Sequence, residues 1–98
     1  MDWAEYEAFD LLDDERKLGV VRIELGVLHI VSLQDESQRE KVQKSLDEFN
    51  NRPFLVERAP KAKGKGSGAV EYERGSPQFE DVLIRKLRSE RQIKLLKK

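Results

Sequence analysis

From Val20 to Leu33 the chain reads Val-Val-Arg-Ile-Glu-Leu-Gly-Val-Leu-His-Ile-Val-Ser-Leu, dense in β-branched and apolar residues. That composition suits a pleated, half-buried surface and commits the chain to a sheet. Gly26 leaves two pairings open. It is either a bulge in one long strand or the turn of a tight hairpin joining 20–24 to 28–32. With 98 residues there is room for one core and not two. The rest of the chain must therefore pack on that sheet. A charged fraction of 39% beside an apolar fraction of 38% would disfavour folding if the apolar residues were scattered. They are clustered, so a folded domain over 1–98 is expected.

Around this stretch, residues 2–12 read as a helix. Trp3, Tyr6, Phe9 and Leu12 recur at a spacing of three, and Asp2 is placed to cap with Glu5 three positions on. Asp13, Asp14 and Gly19 break that pattern, making 1–19 an acidic N-terminal helix and linker and 20–98 an α+β core. Asp35 is expected to cap a helix over 36–50 with Val42, Leu46 and Phe49 on one face. Asn50-Asn51-Arg52-Pro53 ends it. Strands are expected at 54–57 and 69–73, joined by a basic, glycine-rich hairpin loop, 58–68. Ser76-Pro77 then opens a helix with Phe79, Val82, Leu83 and Leu87 inward. The tail 91–98 fits either a strand or a continuation of that helix. Without the first helix the order is βαββαβ, a ferredoxin-like antiparallel sheet with two packed helices. If Gly26 is a turn and the tail is helical, the order becomes αββαββα.

Composition excludes several kinds of chemistry. With no cysteine and a single histidine, thiolate and multi-histidine metal sites are ruled out, as are disulfides and thiol nucleophiles. Met1-Asp2-Trp3-Ala4-Glu5 lacks the basic and apolar regions of a signal peptide, and no stretch approaches the roughly 20 apolar residues of a membrane span. The expectation is a cytoplasmic protein, or one from the interior of a virus-infected cell, with no cofactor, metal or membrane partner. Asp10, Asp13, Asp14 and Glu15 cluster around one helix end, so some must point apart, which argues against a metal-dependent nuclease. No nucleophile or carboxylate pairs with His29 by spacing, and no catalytic residue is identified.

Lysines and arginines balance aspartates and glutamates at 19 each, which removes any global charge argument. Their distribution is uneven. Residues 1–15 hold only acidic charges, and 85–98 are basic apart from Glu90. The best candidate site is the loop with Arg58, Lys61, Lys63 and Lys65, where glycines allow close approach to phosphates and lysines supply charge. Arg85, Arg88 and Lys94 are candidates to assist it.

Leu28-His29-Ile30-Val31-Ser32-Leu33 and Lys65-Gly66-Ser67-Gly68-Ala69-Val70-Glu71-Tyr72 resemble the first-strand and third-strand motifs of the RNA recognition motif. The resemblance covers residues 28–98. It implies that Leu28, Ile30, Val70 and Tyr72 face the core, that His29, Ser67 and Ala69 lie on the open sheet face, and that Lys65 contacts phosphate. Where that family stacks bases on aromatic rings this chain has Ser67 and Ala69, leaving His29 as the flat ring. Each such stack is worth about 1–3 kcal/mol, so backbone contact is expected rather than base reading.

The first functional expectation is thus a non-enzymatic module that binds nucleic acid, RNA or DNA. The alternative is a protein–protein adaptor or small regulator, such as a phage or host-modulating protein. It would use the sheet face or the aromatic helix bearing Trp3, Tyr6, Phe9 and Leu12.

Overall fold

The computed structural model describes residues 3–58 and 68–98. Lys61, Lys63, Lys65, Ser67 and the cap at Asp2 lie outside the described residues. Among the described residues six strands and two helices follow in the order β1 (Trp3–Asp10), β2 (Arg16–Glu24), β3 (Val27–Leu33), α1 (Arg39–Asn50), β4 (Phe54–Arg58), β5 (Ala69–Glu73), α2 (Phe79–Arg91) and β6 (Ile93–Lys97). Four strands form an antiparallel sheet ordered β3-β2-β1-β6, while β4 and β5 pair with each other in a separate ribbon.

The expected N-terminal helix is a strand. Tyr6, Ala8 and Asp10 point inward and are buried, whereas Trp3, Glu5, Glu7 and Phe9 alternate outward. Two alanines and an aspartate occupy inward positions and two large aromatics occupy outward ones. The two-residue period is therefore masked in composition, and the three-residue spacing of the aromatics imitates a helix. Asp10 is buried because its Oδ1 accepts a hydrogen bond from Leu12 N at 2.9 Å, capping a short 3-10 turn over Leu11–Asp13.

This strand changes the sheet. β1 pairs with β2 on one side and β6 on the other, so it occupies the interior of the four-stranded sheet and separates β6 from the β2–β3 hairpin. The β-α-β-β-α-β order from β3 onward is present, but β4 and β5 are left outside the main sheet. Gly26 proves to be a turn. Glu24 pairs with Val27 across Leu25 and Gly26, whose φ values of 51° and 79° fit a two-residue type I′ hairpin. The tail is a strand, stopped from continuing α2 by Gln92 at φ 52°.

Both helices cover the inward face of the main sheet. Val42, Leu46 and Phe49 of α1, and Phe79, Val82, Leu83 and Leu87 of α2, are buried with Val21, Ile23, Leu28 and Leu95 in one apolar cluster. Burying each such side chain is worth about 1.5–3 kcal/mol, which makes this cluster the main source of stability. α1 lies against β3, and α2 against β6 and the β4–β5 ribbon. Leu55 and Tyr72 tie the ribbon to the core. Val70, paired with Glu57 toward the open end of the ribbon, is exposed, against the expectation that it faces the core.

Side chains lock the joints between these layers. Asp35 caps the 3-10 turn before α1, its Oδ1 accepting from Ser37 N at 3.0 Å and Ser37 Oγ at 2.7 Å. The Ser76 hydroxyl, expected as a cap, makes no hydrogen bond, and α2 is entered through Phe79 N donating to Ser76 O at 3.1 Å. Arg74 donates to Gly26 O at 3.2 Å and Phe49 O at 3.0 Å, while its guanidinium lies 5.2 Å from the Phe79 ring. One arginine thus joins the β2–β3 turn, the end of α1 and the start of α2.

Candidate functional site

The inward stripe of α2 dictates what its other side presents. With Phe79, Val82, Leu83 and Leu87 buried, Arg85 and Arg88 are forced outward one turn apart, and both are exposed. Beside them β4 closes on Glu57 and Arg58. Leu55 and Glu57 lie on the side of the ribbon turned to α2, and Glu57 accepts two hydrogen bonds from Arg85, at 2.9 and 2.7 Å. The result is a surface concavity lined by Arg58, Arg85, Lys86 and Arg88, with Glu57, Ser89, Gln92 and Leu11 completing it. Three residues singled out in the sequence, Arg58, Arg85 and Arg88, are brought together here.

The electrostatics favour anions. Four cations face one carboxylate in this concavity. The hydrogen bonds from Arg85 hold the Glu57 carboxyl below the usual glutamate range, so that carboxylate stays ionised, and they raise Arg85 in return. Lys86 is held by Glu90 at 3.1 Å. Among the described residues Arg58 and Arg88 form no ion pair, so their charge is available to a ligand. The floor is fixed by Leu11 N donating to Gln92 O at 2.9 Å and Gln92 Nε2 donating to Ser89 O at 3.1 Å.

Next to this concavity, α1 and α2 are bridged by a charged network. Glu48 accepts from Arg91, by Nε at 3.0 Å and also by Nη2, and Arg52 reaches both Glu48 at 3.4 Å and Glu90 at 3.0 Å. The bond from Arg91 keeps the Glu48 carboxyl low. Burial pushes Glu90 up, but Arg52 and Lys86 outweigh it and leave the group lowered.

The other singled-out residues lie elsewhere. His29 is exposed on β3, opposite Arg22, on the uncovered face of the main sheet. Trp3 and Phe9 share that face, and Arg22 stacks 4.4 Å above the Trp3 ring with its Nη2 3.5 Å from Glu5. Lys94 lies across from Phe9 and 3.5 Å from Glu15, away from the concavity. Tyr6 is buried and donates from its hydroxyl to Glu80; burial first, then that bond, raises its phenol well above the ordinary tyrosine value. Leu12 is exposed in the 3-10 turn. The four residues expected to form one aromatic helix face are therefore dispersed over three environments, because the segment is extended. Ala69 lies in the ribbon rather than on the open face of the main sheet.

Lys86 was not anticipated as part of the site. Its spacing from Arg85 suggests a different side of the helix, and only the approach of β4 makes one hollow of them. No group of three or more His, Asp or Glu able to hold a metal occurs among the described residues, and no helix among them is long and apolar enough to cross a membrane. No protein-family model, curated protein or solved structure matches this chain.

Proposed function

We propose that this chain is a non-enzymatic nucleic-acid-binding module that grips the phosphate backbone at the root of the β4–β5 ribbon. The observation that carries the reading is the convergence of Arg58, Arg85, Lys86 and Arg88 on one concavity with a single carboxylate, Glu57. Guanidinium groups suit phosphate because their fork of donors matches its oxygens. From Arg58 the sequence runs directly into Lys61, Lys63 and Lys65, which adds cations within a few residues of the same root. Among the described residues no aromatic side chain lines the concavity, so binding is expected to depend on charge and to be indifferent to base sequence. Fluorescence anisotropy with a labelled oligonucleotide tests this. Affinity should fall steeply with salt, and Arg58→Gln with Arg88→Gln should flatten the log–log salt slope on duplex DNA by about 0.9 for each phosphate no longer neutralised. A double variant that keeps the full slope would sink the reading.

The second reading places a protein partner on the uncovered face of the main sheet. What favours it is the exposure of Trp3 and Leu96 there. The cross-strand pairs Arg22–Glu5 and Lys17–Glu7 already neutralise much of that face, which suits solvent contact as well as a partner.

A further inference from the structure

A second concavity adjoins the first. It is lined by Lys41, Lys44 and Ser45 of α1 with Glu48, and by Glu90 and Arg91 of α2, and it meets the ribbon-root concavity at Gln92. Leu11 lines one hollow and its neighbour Leu12 the other, so the same 3-10 turn borders both. Lys41 and Lys44 are exposed, one turn apart on the flank of α1 that the buried stripe Val42, Leu46 and Phe49 leaves outward. Lys44 forms no ion pair among the described residues, and Lys41 is held 3.5 Å from Asp10. Among the described residues the two hollows together carry seven cations against three carboxylates, with no aromatic ring in either.

Resting on the backbone-binding reading above, we infer that the ligand is double-stranded nucleic acid and that it lies across both hollows, with Lys41 and Lys44 as distal phosphate contacts. Two properties of the surface point this way. The first is charge density. From Arg85 to Gln92 the helix α2 spans about 10 Å. Over that length a duplex presents about six phosphate charges and one strand about three. Cations on two adjoining flanks match a ligand with phosphates on two strands. The second is the absence of rings. Binders of single strands gain about 1–3 kcal/mol per base from aromatic stacking. A ring-free basic surface forgoes that gain, and it loses nothing with a duplex, whose bases are already stacked inside.

The test uses the full chain with a labelled random-sequence DNA duplex of about 20 base pairs, two helical turns, and each of its strands alone. The duplex should bind about tenfold tighter than either strand at the same salt, reflecting its higher charge density. Lys44→Gln should lower the duplex salt slope by about 0.9, and Lys41→Gln with Lys44→Gln by about 1.8. Lys44→Gln breaks no ion pair of the described chain, so its result stands even if breaking the Lys41–Asp10 pair disturbs the double variant. Equal affinity for duplex and strand, or an unchanged slope in Lys44→Gln, overturns this inference while leaving the ribbon-root reading intact. If the wild-type chain binds none of the probes at low salt, the ribbon-root reading fails and takes this one with it.

Discussion

Arg85 on α2 holds Glu57 on β4 in a two-pronged fork, Nε to Oε2 at 2.9 Å and Nη2 to Oε1 at 2.7 Å. The fork uses Nε and Nη2 and leaves Nη1 unengaged by Glu57. The side chains are 57% and 28% exposed, so the pair contributes only about 0–1 kcal/mol to folding. Its consequence is local: it steers the guanidinium and cancels part of its charge in the basic concavity.

Replacing the carboxylate therefore separates charge from structure. Glu57→Gln should tighten nucleic-acid binding and steepen its salt dependence, the opposite of what removing Arg58 or Arg88 does, while the melting temperature changes little. Anisotropy at two salt concentrations reads the sign. Weaker binding by Glu57→Gln would mean that the carboxylate itself contacts the ligand or that the fork is needed to shape the site.

The edge of the main sheet offers a stability prediction. Asn50 Oδ1 accepts from Leu28 N at 2.8 Å and Asn50 Nδ2 donates to Leu28 O at 2.9 Å, so one side-chain amide satisfies both backbone groups of an edge-strand residue. Asn50→Ala should cost about 1–3 kcal/mol, since two partly buried polar groups lose their partner. Chemical denaturation measures the loss, and a neutral result would show that water replaces the amide fully.

Gly26 carries a sharper constraint. Its φ of 79° is a left-handed conformation, and a Cβ there would lie 2.7 Å from Arg74 Cγ and 3.3 Å from the Phe79 ring. Gly26→Ala should destabilise by about 1–3 kcal/mol, combining backbone strain with displacement of Arg74. Coupling shows in a double-mutant cycle with Arg74→Ala, which removes the Cγ the new methyl would strike: the two losses should be smaller together than their sum. Strict additivity would contradict the close approach of the two residues.

The titration behaviour runs in two windows. Tyr6 is raised above its ordinary value of 10.0 by burial and by Glu80. A raised folded-state value means that its contribution is complete below about pH 10 and is lost as pH rises further. Tyr6→Phe should flatten the alkaline loss. Glu48 is lowered below its ordinary 4.5 by Arg91, so its contribution is present above that value and is lost as pH falls through the lower folded one. Arg91→Gln should flatten the acid loss. Stability curves from urea melts across pH check both; unchanged limbs would show that neither pair is linked to folding.

Helix α1, strands β4 and β5 and the core stripe of α2 were legible in the sequence because each has one dominant periodicity and a clear stop, such as Asn50-Asn51-Arg52-Pro53. The N-terminal strand was not, since Ala4, Tyr6, Ala8 and Asp10 point inward without looking apolar as a set. That strand joins the sheet between β2 and β6, so misreading it, together with counting 20–33 as one strand, led to a ferredoxin-like arrangement. The succession of elements after β3 followed from local periodicity and breakers, whereas the ribbon's separation from the sheet depends on pairing that local sequence does not encode. Of the candidate site, Arg58, Arg85 and Arg88 were visible as basic residues near a loop or on a helix flank. That they share a hollow with Lys86 arises from the approach of β4 to α2, and that Lys41 and Lys44 border the next one arises from the packing of α1 beside α2.

If the concavity at the ribbon root is the nucleic-acid interface, ligand must touch it first and by charge. An amide-shift titration of the full chain with a short DNA duplex, at low and then high salt, tests this most directly. Shifts should concentrate at Glu57, Arg58 and residues 85–92 and should disappear as salt is raised. Shifts confined to His29, Arg22 and Trp3 on the open sheet face, or no shifts at low salt, would contradict it.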